Sequence, residues 1–234
     1  MWHDTRVGVI IPAAGSGMRM GSVRPKQFLE LDGKPILVRT IERFQSSPAV
    51  DTIVLAAHVD FLDEVREVVG REHLSKVLDV VPGGKRRRDS VWAGMRRLEG
   101  EEIGLVLVHD AVRPFVTADL IDRVCAAAAE YGAAIPAVPV EETVKMIDPE
   151  GFVLLTPNRS DLRTVQTPQG FRFDDLLEAH RSPKNTNDGA TDDAMLVERM
   201  GGKVRMIEGD ILNIKITTPR DIRAAVEILK DMQL

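Results

Sequence analysis

The chain has 234 residues, of which 44% are hydrophobic and 29% are charged, a composition that fits one large α/β domain or a domain with a small appendage. Its formal net charge is −5, with 31 Lys and Arg against 36 Asp and Glu. No overall positive field would therefore draw it to nucleic acid or to an anionic membrane, and we expect neither as a partner. Any anion-binding site must be local.

The cysteine content and the N-terminal region bear on the cellular compartment. Cys125, the only cysteine, lies in the alanine-rich segment RVCAAAAEYG, where we predict a small core residue on a helix rather than a reactive thiol. The apolar run near the N-terminus is short and is interrupted by Gly8, Pro12 and Gly15, so we expect neither a signal peptide nor a membrane helix. We predict a protein of the reducing cytoplasm.

The first half of the chain alternates strand and helix patterns. Four nearly continuous apolar runs predict buried parallel strands: VGVII, TIVLAA, KVLDVV and GLVLVHD. Between them, apolar residues at spacings of three and four predict crossover helices in KPILVRTIERFQ, FLDEVREVVGREHL and DSVWAGMRRLEG. This order predicts a Rossmann-like α/β fold, with a mostly parallel sheet and helices on both faces. A ligand crevice is expected outside the strand ends, at residues 12–17, 82–84 and 109–113.

The second half contains a predicted β-hairpin. DPEG places Asp148, Pro149 and Gly151 where a type I turn favours these residues. We therefore interpret residues 142–159 as a projecting hairpin, and the chain as a single domain, 1–234, with 141–160 as a protruding arm. An isolated hairpin is marginally stable and exposes its edges, so we expect the arm to pack on a second subunit and form a homodimer.

The remaining segments alternate again. Helices are predicted near DDLLEAH and TDDAMLVERMG, and strands at KVRMIEG and LNIKI. A last helix is predicted after TTPRD, where Thr218 can cap, Pro219 suits the first helical position and Asp221 sits in the positive first turn.

The loop PAAGSGMRMG follows the first predicted strand and raises the question of its ligand. The dinucleotide pattern G-x-G-x-x-G fails because its third glycine position is Met20, and TIVLAAH ends without the acid that a ribose diol needs. No glycine is followed by Lys and Ser or Thr, so a P-loop is excluded. What remains is a small-residue loop whose backbone N–H groups can bind an anion, followed by Arg19 and Lys26. A triphosphate would fit it.

Together with PKQF, this loop resembles the signature of the sugar and polyol phosphate cytidylyltransferases. The blocks GGKRRRDSV, HDAVRPF, TPQGF, TDDA and NIKIT are similar, in order and spacing, to those of the 2-C-methyl-D-erythritol 4-phosphate cytidylyltransferase family of the non-mevalonate isoprenoid pathway. The resemblance covers essentially the whole chain. The ribitol 5-phosphate cytidylyltransferases share the loop, PKQF and NIKIT, whereas HDA, and Arg159 followed by TDDA, favour the first family. Val112 departs from a usual alanine, and Lys85 from a usual acid, so Lys85 is assigned no base contact.

The resemblance implies a reaction in which the phosphate of a polyol attacks the α-phosphorus of CTP and pyrophosphate leaves. A phosphate monoester has a second pKa of about 6, so the nucleophile is already ionised and needs no general base. Catalysis then depends on alignment and charge neutralisation. The resemblance assigns Arg19 and Lys26 to the β and γ phosphates, Lys215 to the charge that grows at the α-phosphorus, and Asp110 to a Mg²⁺ cofactor.

The same resemblance implies the two binding sites. Ala13 and Ala14 leave room for a flat ring, and Gly84 and Ser90 would recognise cytosine. The full predicted nucleotide set is Pro12, Ala13, Ala14, Gly15, Gly17, Arg19, Lys26, Gly84, Arg87, Ser90, Asp110 and Ala111. The predicted acceptor set is Asp110, Arg113, Thr191 and Lys215, with Thr143 and Arg159 contributed by the arm of the partner subunit.

Simpler interpretations stand beside these. Arg86 and Arg88 fit a solvated face, and Asp110 could cap a following helix. Thr191, Asp192 and Asp193 could be a helix cap and first-turn acids. His109 could equally pack beneath the loop or act in the site, and it is assigned no catalytic role. For the whole chain, a hexose 1-phosphate transferase using another nucleotide and a non-catalytic nucleotide-binding regulator stay open, although Lys26, Asp110 and Lys215 argue against the regulator.

Overall fold

A computed structural model describes residues 3–15, 25–183 and 189–232 of the chain. The strands are β1 (Arg6–Ala13), β2 (Glu30–Leu31), β3 (Lys34–Pro35), β4 (Thr52–Ala57), β5 (Val77–Pro82), β6 (Ile103–Val108), β7 (Ala133–Pro139), β8 (Met146–Ile147), β9 (Val153–Leu155), β10 (Arg163–Val165), β11 (Gln169–Arg172) and β12 (Arg205–Glu208). The helices are α1 (Ile36–Ser46), α2 (Leu62–Arg71), α3 (Arg87–Leu98), α4 (Ala118–Tyr131), α5 (Phe173–Arg181), α6 (Ala194–Arg199) and α7 (Pro219–Met232).

Eight strands form a central sheet. The order is β10-β7-β11-β6-β1-β4-β5, and β12 also pairs with β7. Strands β5, β4, β1 and β6 are parallel to one another, whereas β11 lies between β6 and β7 and is antiparallel to both. Ala13 pairs with Ala57, and Ala57 with Pro82, so three parallel strands end at the same level. These aligned ends form the edge at which a crevice was predicted.

Alternating side chains of the strands divide the core into two layers. Val9 and Ile11 of β1 pack with residues of α1, α2 and α4 on one face of the sheet. Ile10, between them, packs with residues of α3, α5 and α6 on the other face. Because both faces are covered, β4 is buried at every position, which explains its continuous apolar sequence. The predicted α/β architecture with a mostly parallel sheet is confirmed.

One strand boundary and one predicted strand were wrong. β6 ends at Val108, two residues before the end of GLVLVHD. LNIKI forms no strand: Asn213 and Ile216 are buried, three residues apart, and Ile216 N donates to Val112 O at 2.9 Å. The segment 212–216 therefore packs on the loop that follows β6 and does not pair with a strand of the sheet. Its apolar residues nevertheless alternate as in a strand, which explains the wrong prediction.

Residues 146–155 form a hairpin in which β8 and β9 pair only with each other within the described residues. Gly151 N donates to Asp148 O at 3.1 Å, as the predicted turn requires, and Gly151 has a φ of +91° that favours glycine. The apolar side chains of this hairpin are exposed, and Phe152 is the most exposed of them at 72%. The role of residues 141–160 as a dimerisation arm stays a prediction.

The predicted features of two helices are confirmed. Asp221 N lies 3.4 Å from Thr218 Oγ1, and Pro219 is the first residue of α7. Asp221 returns the contact, since its carboxylate accepts from Thr217 N and Thr218 N. Cys125 lies fully buried in α4, where burial raises the pKa of its thiol to about 12. In the described ranges no helix has the length and apolarity needed to span a bilayer.

Candidate active site

A cavity of about 240 Å³ opens at the aligned strand ends. It is lined by eleven residues predicted for the site: Pro12, Ala13, Ala14, Gly15, Lys26, Gly84, Arg87, Ser90, Asp110, Ala111 and Lys215. Gln27, Lys85, Arg86 and Val112 line it as well. Gly17 and Arg19, also predicted for the site, lie outside the described residues. The crevice thus brings Lys215 together with four other stretches of sequence: residues 12–15, 26–27, 84–90 and 110–112.

One wall of the crevice is built from residues that allow close backbone approach. A Cβ on Gly83 would lie 2.5 Å from Ala14 Cβ and 2.8 Å from Ser90 Oγ, so no larger residue fits there without a shift. Gly84 N donates to Ser90 Oγ at 3.1 Å, which fixes the hydroxyl beside the loop. The loop after β5 and the start of α3 therefore place the Ser90 hydroxyl and the backbone of Gly84 in the same cavity as Ala13 and Ala14.

Asp110 stands at the centre of a cluster of three cations. Its Oδ2 lies 2.9 Å from Lys215 Nζ and 3.3 Å from Arg113 Nε, and its Oδ1 lies 3.4 Å from Arg87 Nε. Burial alone would raise the pKa of Asp110, but these three cations outweigh it and hold the pKa below its usual value. The carboxylate is therefore ionised at neutral pH, and its single negative charge offsets only part of the positive charge of the three cations.

Arg87 is held by a second carboxylate, Asp193, whose side chain is almost fully buried. Arg87 Nη1 donates to Asp193 Oδ2, and His180 Nε2 lies 3.6 Å from Asp193 Oδ1. Burial favours the neutral form of Asp193, yet Arg87 reverses this and lowers its pKa. Asp193 is the N-cap residue of α6, but its side chain makes no cap contact there. The capping alternative holds for Asp192, since its Oδ1 accepts from Met195 N at 3.0 Å.

The turn from His109 to Arg113 rests on a buried hydrogen-bond chain. Asp110 N donates to Thr167 Oγ1 at 3.1 Å, so the Thr167 hydroxyl proton is available to His109 Nδ1, also at 3.1 Å. His109 Nε2 then carries the ring proton and donates to Arg113 O at 3.0 Å. Burial lowers the pKa of His109 to about 4. The ring is neutral and packs beneath the loop, which is one of the two possibilities that the sequence left open for it.

A second cavity of about 220 Å³ adjoins the first and shares Arg87, Asp110 and Lys215 with it. Its other lining residues include Arg113 and Thr191, so the predicted acceptor residues of the main domain come together. Thr143 and Arg159 do not join them within one chain. Both lie exposed near the hairpin, and Arg159 Nη1 donates locally to Glu141 O at 2.9 Å.

The two arginines assigned to a solvated face differ. Arg86 is exposed and pairs with Asp89 at 2.8 Å, as expected of a surface cation. Arg88 is half-buried and donates to His180 O at 3.1 Å, so its interpretation as a solvated cation was wrong. The backbone of α3 turns it towards α5, and periodicity alone does not show that the carbonyl of the α5 C-terminus lies within reach.

The donor set at Asp110 fits a divalent cation only in part. Among the described residues, no group of three or more His, Cys, Asp or Glu side chains gathers to hold a metal. Asp110 offers a single hard carboxylate, which is the ligand type that Mg²⁺ prefers. The remaining ligands would be phosphate oxygens of a bound nucleotide and water, an arrangement common for Mg²⁺ at phosphate sites.

Sequence reasoning missed four polar residues that position the site: Gln27, Thr167, Gln169 and Asp193. Gln169 Oε1 accepts from Asp193 N and Ala194 N, each at 3.2 Å, and so fixes the start of α6. Gln27, Thr167, Gln169 and Asp193 fall within the blocks PKQF, TPQGF and TDDA, so the signal was present. The side-chain partners, however, are distant in sequence.

The fold and the crevice define an α/β protein with a cavity lined by cationic side chains at the carboxyl ends of parallel strands, where folds of this class bind their ligands. The family model described as 2-C-methyl-D-erythritol 4-phosphate cytidylyltransferase matches residues 7–231. The chain therefore belongs to the 2-C-methyl-D-erythritol 4-phosphate cytidylyltransferase family.

Individual relatives agree with this assignment. The protein of that name from Symbiobacterium thermophilum is 48% identical over 225 residues, which cover 96% of this chain and 93% of that protein. The one from Geobacter metallireducens is 46% identical over 228 residues, covering 96% and 98%. A crystal structure of 4-diphosphocytidyl-2C-methyl-D-erythritol synthase from Anaerococcus prevotii is similar with a TM-score of 0.84 and 31% identity, covering 97% of this chain and 99% of that one.

Proposed function

We propose that the chain transfers the cytidylyl group of CTP to 2-C-methyl-D-erythritol 4-phosphate, giving 4-diphosphocytidyl-2-C-methyl-D-erythritol and pyrophosphate. Family membership supports this reaction. The observation that carries it is that Lys26, Lys215 and the end of β1 border one cavity. Cations placed on separate sides of a crevice can hold a polyphosphate and stabilise the charge that moves along it during transfer.

In this proposal the protein supplies position and charge rather than a base. The acceptor phosphate is already an anion at neutral pH, and the one histidine beside Asp110, His109, is neutral and fully engaged. Lys26, with Arg19, would bind the β and γ phosphates and the departing pyrophosphate. Lys215 would meet the negative charge that develops at the α-phosphorus. Mg²⁺, held by Asp110 together with phosphate oxygens, would neutralise further charge.

The base and the acceptor would occupy the two adjoining cavities. The first cavity is bordered by Ala13, Ala14, Gly84 and Ser90, whose small side chains and one hydroxyl would suit a pyrimidine. Arg87 borders both cavities. Arg113 and Thr191 border the second cavity, where the phosphate of the acceptor would bind. Arg113 Nε and Nη1 already donate to Asp110 Oδ2 and Asn213 O, so its Nη2 would be the group that meets this phosphate.

We further propose a homodimer in which residues 141–160 of each subunit reach the site of the other. Met146, Ile147, Phe152, Val153, Leu154 and Leu155 expose at least 46% of their surface, which favours burial against a partner. Thr143 and Arg159 would then complete the acceptor site. A cytoplasmic location is proposed because the single cysteine leaves no intramolecular disulfide to form.

Pyrophosphate release tests the proposal. CTP, UTP, ATP and GTP are each combined with methylerythritol 4-phosphate, ribitol 5-phosphate or a hexose 1-phosphate, with and without Mg²⁺. We expect release with CTP, methylerythritol 4-phosphate and Mg²⁺ together. Preferred use of ribitol 5-phosphate would support the alternative acceptor instead, and CTP binding without release from any acceptor would indicate a regulator.

A further inference from the structure

Gln27 is a buried polar side chain at the nucleotide end of the crevice. It is only 2% exposed, and its Nε2 lies 2.6 Å from Ala13 O and 3.3 Å from Gly15 O. Both contacts are backbone carbonyl oxygens, which can only accept hydrogen bonds. The amide nitrogen must therefore face them, and the orientation of the side chain is fixed by its partners.

The two carbonyls belong to the segment where the chain leaves the sheet. Ala13 is the last residue of β1, and Gly15 follows two residues later on the rim of the cavity. A carbonyl oxygen carries partial negative charge, which would oppose a phosphate if left without a donor. The Gln27 amide offsets that charge at both oxygens and limits how far either peptide can rotate.

Gln27 also connects this segment to Lys26. The two residues are adjacent in a one-turn 3₁₀ helix, Lys26–Phe28, and both line the cavity. Phe28, on the same turn, is buried beside Phe61, with ring centroids 5.1 Å apart. The turn is thus held by packing on one side and by the amide of Gln27 on the other.

We infer that Gln27 is a positioning residue for the nucleotide: its amide fixes the backbone of Ala13 and Gly15 relative to the turn that carries Lys26. This inference rests on the proposed function, because it takes CTP as the ligand. Gln27 itself forms no bond that the reaction makes or breaks. It acts by fixing the distance between the backbone of Ala13 and Gly15, where a phosphate would bind, and the ammonium group of Lys26.

The test compares Gln27→Glu with Gln27→Met. The first keeps the shape but turns a carboxylate towards two carbonyl oxygens, and burial there raises the pKa of that carboxyl above its usual value of about 4.3. When protonated, the carboxyl regains one donor. The second keeps the side-chain volume but has no donor at any pH. CTP affinity is measured by calorimetry from pH 5.5 to 8.5 and expressed relative to the native chain, which cancels titration of CTP.

We expect Gln27→Glu to weaken CTP binding about tenfold or more at pH 8.5, with the loss shrinking towards pH 5.5. Gln27→Met should show a loss that does not change with pH. A merely structural role would lower the melting temperature without this pH-dependent recovery. The inference would be overturned if the CTP affinity of Gln27→Glu relative to the native chain were constant with pH. Unaltered CTP affinity in both variants would overturn it as well.

The same measurement separates the inference from the proposed reaction. If the native chain binds CTP but releases no pyrophosphate, the reaction fails while the Gln27 comparison still reports on positioning. If the native chain does not bind CTP, the reaction and the inference fail together.

Discussion

Lys215 and Asp110 form an ion pair at the mouth of the crevice, with 2.9 Å between Nζ and Oδ2. Lys215 is 40% exposed there, whereas the Asp110 side chain is only 10% exposed. The lysine can therefore turn towards a bound phosphate while the aspartate stays in place. Asp110 thus keeps three cations together before any substrate arrives, and this preorganisation explains why the site can be positive in a chain of net charge −5.

Asp110→Asn should lower the free energy of unfolding by about 2–4 kcal/mol at pH 7, because it removes the buried carboxylate charge that Lys215, Arg113 and Arg87 share. The pKa of Asp110 is lowered in the folded state, so its stabilisation is complete above the unfolded value of about 3.9 and is lost as pH falls below it. The deficit of the variant should therefore shrink below pH 4. Urea unfolding at pH 7 and pH 3 measures it.

The matched control is Asp63→Asn, whose carboxylate is 99% exposed. Because Asp63 pairs with Arg66 on the surface, this substitution should change the free energy of unfolding by no more than about 0.5 kcal/mol at either pH. An Asp110→Asn deficit of the same size at pH 7 and pH 3 would contradict the electrostatic origin assigned to it.

Lys26→Ala should reduce turnover about 100-fold or more, since it removes a fixed charge from the proposed pyrophosphate side of the crevice. Steady-state pyrophosphate release measures this loss. Lys230→Ala serves as the control, because Lys230 pairs with Glu227 on α7 and does not line the cavity. Turnover of Lys26→Ala close to that of the control would remove Lys26 from its proposed role.

Thr167→Val should destabilise the fold by about 1–3 kcal/mol and reduce turnover, because Asp110 N and His109 Nδ1 each lose their partner. Thr167→Ser keeps the hydroxyl and should restore most of both. Chemical denaturation and pyrophosphate release measure the two effects. Equal behaviour of the Val and Ser variants would show that the hydroxyl does not support the turn.

Replacing Phe152 and Leu154 together by Asp should dissociate the proposed dimer, since charged residues cannot be buried in an apolar interface without a large cost. Sedimentation velocity reports the mass. Val59→Asp is the control: Val59 is 63% exposed but lies on the turn after β4, away from the hairpin. A dimer that survives the double substitution would place the interface elsewhere.

Arg159→Ala should weaken acceptor use while CTP affinity stays normal, and mixing it with Lys26→Ala chains should restore part of the activity. In a mixed dimer, one site would combine an intact Lys26 with an intact Arg159 from the other chain. Pyrophosphate release after refolding the mixture measures recovery.

The control for this experiment mixes Lys26→Ala with Asp110→Asn. Both substitutions fall in the same proposed half of the site, so every mixed site would carry a defect and no recovery is expected. Absence of recovery with Arg159→Ala, although mixed dimers form, would exclude a shared site.

The strands β1, β4 and β6 were predictable because their burial is nearly continuous along the sequence. β5 was predicted to be buried as well, but it lies at the edge of the sheet and only Val80 in it is buried. β1 and β4 are covered on both faces, and such runs are diagnostic without any knowledge of contacts. The segment 212–216 shows the limit, since its alternating pattern is typical of a strand while its burial follows loops that pack on it. The turn that ends at Gly151 and the helix cap at Thr218 were predicted correctly, because each depends on residues three positions apart in sequence.

The support of the site was less predictable. Arg87 and Asp193 are 106 residues apart in sequence, and Asp110 and Thr167 are 57 apart. A motif identifies each residue type, but the pairing arises only when α3, α6 and the end of β6 meet. Gln27 illustrates the same point at shorter range, since nothing in PKQF indicates that its amide turns back onto Ala13.

The insertion of β11 has a consequence for synthesis of the chain on the ribosome. β6 pairs with β1 on one side and with β11 on the other, and β11 also lies against β7. Until residue 172 has left the exit tunnel, β11 cannot pair with β6 and β7. The edge of β6 that faces β7 therefore has unpaired backbone groups. The nascent N-terminal half then has an incomplete sheet that lacks β11. A chain interrupted before that point should therefore depend on chaperones to avoid edge-to-edge association.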